Sequence, residues 1–189
     1  MTLIVAVIFD PKESAVLAAD RRVLIRDYLA NTSKPGEGDK LFSIGGCAVA
    51  SYGTGPKNVS VPDSLRSLGS RAASPSEIAN KFAALAMTFP DPGDFGVLFL
   101  GSGARELELW ERASDGSVWR IDIRSGDVIF RGQEVNAPRQ AQLSRPEHAE
   151  ELALSILRQA SVQSSAVGPP FDFAILQWGD GMLQRREPK

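Results

Sequence analysis

The chain has 189 residues, of which 43% are hydrophobic and 23% are charged, and this composition is typical of a globular protein with a substantial core. Its formal net charge of −2 argues against nucleic acid as the main partner, because phosphate binding requires an excess of basic residues. The single cysteine, Cys47, excludes an internal disulfide framework and favours the cytoplasm, and no apolar run is long enough to cross a membrane.

The chain begins with two apolar runs that we expect to pair as a hairpin. The first run, the turn and the second run are residues 2–9, 10–13 and 15–22. Antiparallel pairing across this turn places Phe9 opposite Ser14. Counting back along both strands then brings Thr2 beside Asp20 or Arg21. Because nearly all of these residues are apolar, both faces of the hairpin are expected to be buried.

A polar stretch separates this hairpin from a second one. Residues 27–38 contain Pro35, Gly36 and Gly38, so they predict a surface loop, preceded by a short strand at 23–25.

The second hairpin comprises residues 40–44 and 47–52, and Gly45-Gly46 between them predicts a two-residue turn. That turn pairs Ile44 with Cys47 and places Lys40 opposite Ser51. Lys40 then lies at the same end of the hairpin as residues 53–55.

Two capping boxes mark the starts of helices. Residues 74–77 and residues 144–147 each combine a serine, a proline and a glutamate three positions after the serine. The segment 58–71 is a weaker candidate. The apolar stripes of the two stronger helices are Ile78, Phe82, Leu85 and Phe89, and Ala149, Leu152, Ile156 and Leu157.

The rest of the chain reads as strands. The predicted strands are residues 95–101, 107–111, 118–122 and 128–130, followed by a closing hairpin of 171–178 with 181–184. Ser125-Gly126 favours a hairpin turn before the strand at 128–130. This order of segregated strands and helices predicts an α+β fold with two antiparallel sheets and helices packed outside them. We see no repeat or linker and expect a single domain over residues 1–189.

A threonine at the start of a chain carries both a nucleophile and a base. Once the initiator Met1 is removed, the α-amine of Thr2, with an ordinary pKa of about 7.7–8.0, is able to accept the proton of its own hydroxyl. A nearby lysine lowers the pKa of that amine, and a carboxylate keeps the lysine charged; Lys40 and Asp20 are the candidates. Backbone N–H groups of residues 53–55 are candidate donors to an oxyanion.

Four short motifs in this order resemble proteasome β-type subunits, which are N-terminal-nucleophile (Ntn) hydrolases with a four-layer αββα sandwich of two antiparallel sheets. The resemblance runs from residue 2 to residue 55. The motifs are Thr2-x-Ile4-Val5-Ala6-Val7, Val16-Leu17-Ala18-Ala19-Asp20-Arg21-Arg22, Lys40-Leu41-Phe42-x-Ile44 and Tyr52-Gly53-Thr54-Gly55.

The resemblance implies a role for each of five residues. Thr2 is expected to be the nucleophile, and Gly53 is expected to provide the oxyanion-hole amide. Asp20 and Lys40 are expected to form the charged pair, with Arg22 supporting it. A leader consisting of Met1 alone resembles the bacterial members that mature by methionine removal.

The resemblance also implies how the protein works. We expect a threonine-type peptidase that forms a homo-oligomeric ring, hydrolyses peptides or unfolded proteins, and has an ATP-dependent unfoldase as a possible partner. Neither nucleic acid nor membrane is expected as a partner. No cluster has the spacing of metal ligands, so we expect no cofactor.

Two features keep an alternative open. The family's later Gly-Ser-Gly element and its Asp-x-x-Ser element have no clear counterpart, although Ser125-Gly126 is a candidate stand-in for the first. The alternative is therefore a proteasome-like assembly or binding subunit that is catalytically silent. A cysteine peptidase is disfavoured, because Cys47 and His148 lie far apart in sequence and Cys47 suits a core position.

Overall fold

The computed structural model of the protein describes residues 2–27, 32–55, 59–68, 73–91 and 93–186. The strands are β1 Leu3–Asp10, β2 Ser14–Asp20, β3 Arg22–Asp27, β4 Thr32–Glu37, β5 Leu41–Ile44, β6 Cys47–Thr54, β7 Asp94–Ser102, β8 Leu107–Arg112, β9 Val118–Ile121, β10 Val128–Gly132, β11 Phe171–Gln177 and β12 Gly181–Arg186. The helices are α1 Val61–Arg66, α2 Pro75–Ala86 and α3 Glu147–Gln163. Within these ranges, no helix has the length and apolar composition needed to span a bilayer.

The strands form two five-stranded sheets and one two-stranded ribbon. The first sheet has the order β10-β1-β2-β11-β12, and the second has the order β5-β6-β7-β8-β9. Every strand pairing among the described residues is antiparallel. The predicted α+β class with two antiparallel sheets is therefore confirmed.

Alternate side chains of β1 enter two different apolar clusters, as the two-residue period of a strand requires. Ile4 and Ala6 pack in a cluster that also contains Ala50 and Leu98 of the second sheet. Leu3, Val5 and Val7 belong instead to a cluster that they share with Ala153, Ile156 and Leu157 of α3. The expectation that this hairpin is buried on both faces is thus confirmed.

A third cluster covers the second sheet. Leu65 of α1 and Phe82 of α2 pack with Val97 and Phe99 of β7. Phe82 lies edge-on to Phe95, with 6.2 Å between the ring centroids.

The register of the first hairpin differs from the prediction at one point. Ile4 pairs with Ala19 and Ile8 with Ala15, as the counting required, but Ser14 lies opposite Asp10 and not opposite Phe9. The turn is tighter than expected, because the amide of Glu13 donates to the carbonyl of Asp10 at 3.0 Å. The extra residue is absorbed by an irregularity between Ile8 and Asp10, so the predicted alignment near Thr2 is unaffected.

The predicted surface loop at residues 27–38 is wrong for the part that the structure describes. Residues 32–37 form β4, which pairs with β3, and residues 28–31 lie outside the described ranges. Pro35 lies opposite Leu24 and does not interrupt the pairing, because a two-stranded ribbon has open edges at which the missing N–H of proline is tolerated.

The two capping boxes behave differently. At α2 the box is present in full: Ser74 accepts from the amide of Glu77 at 3.3 Å, and the Glu77 side chain accepts from the amide of Ser74 at 3.0 Å. At α3 the predicted box is wrong, because the cap residue is Pro146 and no side-chain cap bond forms. The Ser144 hydroxyl lies 3.2 Å from the His148 ring, and backbone carbonyls accept from the first amides of the helix.

Two further predictions need adjustment. The helix expected over 58–71 is shorter, since α1 ends at Arg66 and residues 56–58 and 69–72 lie outside the described ranges. Ser125-Gly126 is a turn but not a hairpin turn, because β9 belongs to the second sheet and β10 to the first.

The two boxes allow a matched test of helix capping. We expect Ser74→Ala to lower the free energy of unfolding by about 1 kcal/mol, because it removes a formed N-cap bond. We expect Ser144→Ala to change it by less than about 0.5 kcal/mol. Urea denaturation of both variants measures the difference. Equal losses of unfolding free energy would contradict the finding that Ser74 caps its helix and Ser144 does not.

Candidate functional site

A buried ion pair lies at the end of β2. The Nζ of Lys40 is 2.9 Å from Oδ2 of Asp20, and the Asp20 side chain is fully buried. The same carboxylate accepts from the amide of Leu3 at 2.7 Å and from the amide of Arg22 at 3.1 Å. These donors fix the carboxylate next to the residue that follows Thr2.

Lys40 is held on both its side chain and its backbone. Its Nζ also donates to the carbonyl of Arg22, and its own carbonyl accepts from the amide of Ser51 at 2.9 Å, so the predicted pairing with Ser51 is confirmed. Burial lowers the pKa of Lys40 and raises the pKa of Asp20, while the attraction between the two opposes both shifts. Each group therefore depends on the other to remain charged.

Thr2 is held by the end of β10. Its carbonyl accepts from the amide of Gln133 at 2.8 Å, and only 7% of the residue is exposed. Gly132 permits this approach, since a Cβ on Gly132 would lie 1.8 Å from the carbonyl oxygen of Thr2. Any larger residue at position 132 would displace Thr2.

Thr2, Lys40 and Gly53 line one cavity of about 260 Å³. The same lining includes apolar walls from Val61, Pro62 and Phe95. The cavity thus brings Thr2, a lysine and a glycine of β6 together beside an apolar surface, and a concave site of mixed polar and apolar lining is suited to binding a small ligand.

A larger cavity, of about 770 Å³, lies elsewhere. It is lined by Phe9, Ser125, Gly126 and residues 140–144, none of which carries a charge. The Ser125 hydroxyl donates to Asp10 at 2.9 Å. Asp10 is at the opposite end of β1 from Thr2, roughly 26 Å away at about 3.3 Å per residue. Ser125-Gly126 is therefore not part of the site, and the suggestion that it replaces the Gly-Ser-Gly element is wrong.

Gly53 lies one residue before the end of β6, opposite Phe95 of β7. Its φ is +88°, and a Cβ there would lie 2.3 Å from the carbonyl oxygen of Asp94. Both the backbone conformation and the close contact with β7 require glycine at this position.

Arg22 contacts the ion pair through its backbone. Its amide donates to Asp20 and its carbonyl accepts from Lys40. Its guanidinium is directed elsewhere, donating to the carbonyl of Ser165 at 2.7 Å. The positive charge of Arg22 still contributes to lowering the pKa of Lys40.

Sequence reasoning missed two clusters of charged side chains near the site. In one, Arg21 contacts Asp39, next to Lys40, and bonds Asp172 at 2.9 Å. In the other, both oxygens of Glu111 bond Arg131 at 2.6 Å. The only sequence signal for either was a charged residue inside an otherwise apolar strand, as in Phe171-Asp172-Phe173.

Cys47 occupies a core position, as predicted, and 2% of it is exposed. Burial raises the pKa of its thiol to about 12. The thiol is therefore protonated near neutral pH, which makes it a poor nucleophile.

No protein-family model and no curated protein matches the chain. Among solved structures, the chain is similar to the Gly-1 mutant of Anbu from Hyphomicrobium sp. strain MC1, with TM-score 0.71, 18% identity, and coverage of 98% of this chain and 88% of that one. It is also similar to a second structure of Anbu from that strain, with TM-score 0.69, 17% identity, and coverage of 97% of this chain and 86% of that one. A third similar structure is Anbu (ancestral beta-subunit) from Yersinia bercovieri, with TM-score 0.69, 17% identity, and coverage of 98% of this chain and 87% of that one. At these identities the likeness shows that the fold is shared.

The comparison corrects the family suggested by the motifs. The prediction of a proteasome β-type subunit is wrong, because the similar structures are Anbu proteins, a distinct family, and no family model or curated protein supports the former. The motifs misled because they are short and end at residue 55. They describe local geometry, namely a hairpin, a charged pair and a glycine turn, which related folds have in common.

The ion pair makes a strong prediction for stability. We expect Lys40→Met to lower the free energy of unfolding by about 3–5 kcal/mol, because the Asp20 carboxylate stays buried without its cation. The double variant Lys40→Met with Asp20→Asn is expected to recover part of this loss, since it also removes the buried charge. Denaturant titration of the single and double variants measures both effects.

The matched control is Arg120→Met, which breaks the ion pair with Glu106 at 2.7 Å, where the Arg120 side chain is 43% exposed. We expect that variant to change stability by less than about 1 kcal/mol. A loss in Lys40→Met no larger than in Arg120→Met would show that the Lys40–Asp20 pair is solvated.

Proposed function

We propose that the protein is a threonine-type N-terminal-nucleophile hydrolase of peptide amides, with Thr2 as the nucleophile after removal of Met1. The observation that carries the proposal is the buried Lys40–Asp20 pair, whose lysine lines the same cavity as Thr2 and Gly53. The fold shared with a structure described as an ancestral beta-subunit is consistent with this activity.

The proposed reaction begins with activation of Thr2. Its free α-amine accepts the proton of its hydroxyl, and the oxygen attacks the carbonyl carbon of the substrate. Lys40, charged because of Asp20, lowers the pKa of that amine by like-charge repulsion, so that more of it is neutral near pH 7. Asp20, Lys40 and the backbone of Arg22 therefore act on the base rather than on the substrate.

The remaining steps use groups already in the cavity. The amide of Gly53 donates to the oxyanion of the tetrahedral intermediate. The α-ammonium returns its proton to the leaving amine, which leaves an acyl ester on Thr2. The amine then activates a water that hydrolyses this ester and restores the threonine.

We also propose that the whole chain, residues 1–189, is one unit with four layers in the order helix, sheet, sheet, helix. Three apolar clusters support this order, because one joins the two large sheets and the others join α1 and α2 to the second sheet and α3 to the first. The single cysteine remains the argument for a cytoplasmic location.

The competing proposal is an assembly or binding subunit without activity. If Met1 stays attached, the nitrogen of Thr2 is an amide and has no basic lone pair. The intact mass of protein purified from cells separates the two: loss of one methionine supports the hydrolase, and retention of Met1 supports the silent subunit.

The nucleophile is tested by substitution in the protein that has lost Met1. We expect Thr2→Ala to lower kcat/KM for short peptide amides by at least about 10³-fold, because no other group replaces the hydroxyl. Thr2→Ser keeps a hydroxyl and an amine and is expected to retain measurable activity. Thr88→Ala, in the turn that follows α2 and outside the residues that line the cavity, is the control and should match the unsubstituted protein. Turnover by Thr2→Ala would refute the assignment.

We further propose that the protein forms a homo-oligomeric ring that takes peptides or unfolded chains as substrates, with an unfoldase as partner. The proposal extends the expectation drawn from the sequence resemblance, and among the described residues five large apolar side chains are exposed, which an interface between copies would cover: Met87, Trp119, Val162, Trp178 and Leu183. We expect the protein to elute in size-exclusion chromatography with a mass several times the 20.3 kDa of one chain. Elution as a monomer at micromolar concentration would count against the ring.

A further inference from the structure

A second buried polar cluster, which we call the Glu111 network, comprises Tyr52, Glu111 and Arg131. Glu111 of β8 is 2% exposed. Its two oxygens accept from Nε and Nη2 of Arg131, each at 2.6 Å, and one of them also accepts from the hydroxyl of Tyr52. Arg131 therefore binds the carboxylate in the two-pronged geometry that gives arginine–carboxylate pairs their directionality.

One end of this network is next to Gly53 in sequence, and the other end is next to the residues that hold Thr2. Tyr52 immediately precedes Gly53 in β6 and is one of the residues that line the cavity, and its ring lies against Gly96 of the neighbouring strand. Arg131 immediately precedes Gly132 and Gln133, the residues that hold the carbonyl of Thr2. The network is thus a chain of polar bonds that runs from the strand of Gly53 to the strand beside Thr2.

These two ends belong to different sheets. Thr2 and Arg131 lie with the first sheet, whereas Tyr52 and Gly53 lie with the second. The contact between the sheets is otherwise largely apolar packing, which has no preferred direction along the interface. The two-pronged Arg131–Glu111 ion pair does have a preferred direction, so it fixes the offset of one sheet relative to the other.

We propose that Glu111 is a positioning residue, which by binding Tyr52 and Arg131 sets the separation between the Gly53 amide and the Thr2 hydroxyl. This inference rests on the proposed hydrolase. The amide must meet the oxyanion that forms when Thr2 attacks, and a displacement of about 1 Å is enough to cost up to about 10²-fold in rate. The bound substrate carbonyl is less sensitive to this distance than the transition state is.

The test uses two variants and a matched control. Glu111→Gln keeps the shape of the side chain but removes its charge. Tyr52→Phe removes the hydroxyl that ties the residue before Gly53 to Glu111, and it leaves the Glu111–Arg131 pair in place. It therefore loosens Gly53 relative to the network and keeps the inference testable if Glu111→Gln fails to fold. Glu106→Gln is the control, because Glu106 also binds an arginine, Arg120 at 2.7 Å, but in an exposed pair away from the cavity.

We expect kcat for a peptide amide to fall about tenfold or more in Glu111→Gln and Tyr52→Phe, with KM changed by less than about twofold, since oxyanion stabilisation acts in the transition state. Glu106→Gln should leave both constants unchanged. Far-UV circular dichroism and elution volume should be the same for every variant that is compared.

The outcomes separate the inference from the function on which it rests. If the unsubstituted protein hydrolyses peptides and Thr2→Ala does not, but Glu111→Gln and Tyr52→Phe retain full kcat, the inference is overturned and the hydrolase stands. A loss of kcat in Glu106→Gln equal to that in the other variants also overturns the inference, because the effect is then a general one. If the protein lacking Met1 has no activity, the proposed function fails and the inference fails with it.

Discussion

The candidate site depends on a carboxylate that has no access to water. Removing an ionised group from water costs several kcal/mol, so the Asp20 carboxylate is stable in this position only if all of its hydrogen-bond donors are in place. Those partners come from separate parts of the chain: the amide of Leu3, the amide of Arg22 and the ammonium of Lys40. The start of β1, the end of β2 and the entry to β5 are thus held in one arrangement, and the cavity between them has its shape for the same reason.

The two large sheets meet through apolar side chains in their middle and through ion pairs near the cavity. Apolar packing supplies most of the stabilisation but little directional information. Lys40–Asp20 and Arg131–Glu111 each join an element of one sheet to an element of the other, and they lie on either side of the Thr2 strand. Together they define how the halves of the cavity face one another, which packing alone would leave less well determined.

The features that local pattern encodes could be predicted from the sequence. Alternation and turn length gave the pairing of Ile4 with Ala19 and of Ile44 with Cys47, and from these the approach of Lys40 to Asp20. What failed depended on contacts between distant segments or on competing local bonds. The Arg131–Glu111 pair joins strands of different sheets, and no spacing rule relates residues so placed. At Ser144 the motif was present, but backbone carbonyls satisfied the amides that it was expected to cap.

The burial of Cys47 has a consequence for the reactivity of its thiol. Oxidation of cysteine to sulfenic acid, and its exchange with glutathione, both begin from the thiolate. Cys47 is the first residue of β6 and is buried between the second sheet and its helices, and this burial raises its pKa to about 12, so the thiolate is scarce and inaccessible. In the folded chain, the thiol of Cys47 is therefore poorly placed to react with oxidants or with glutathione.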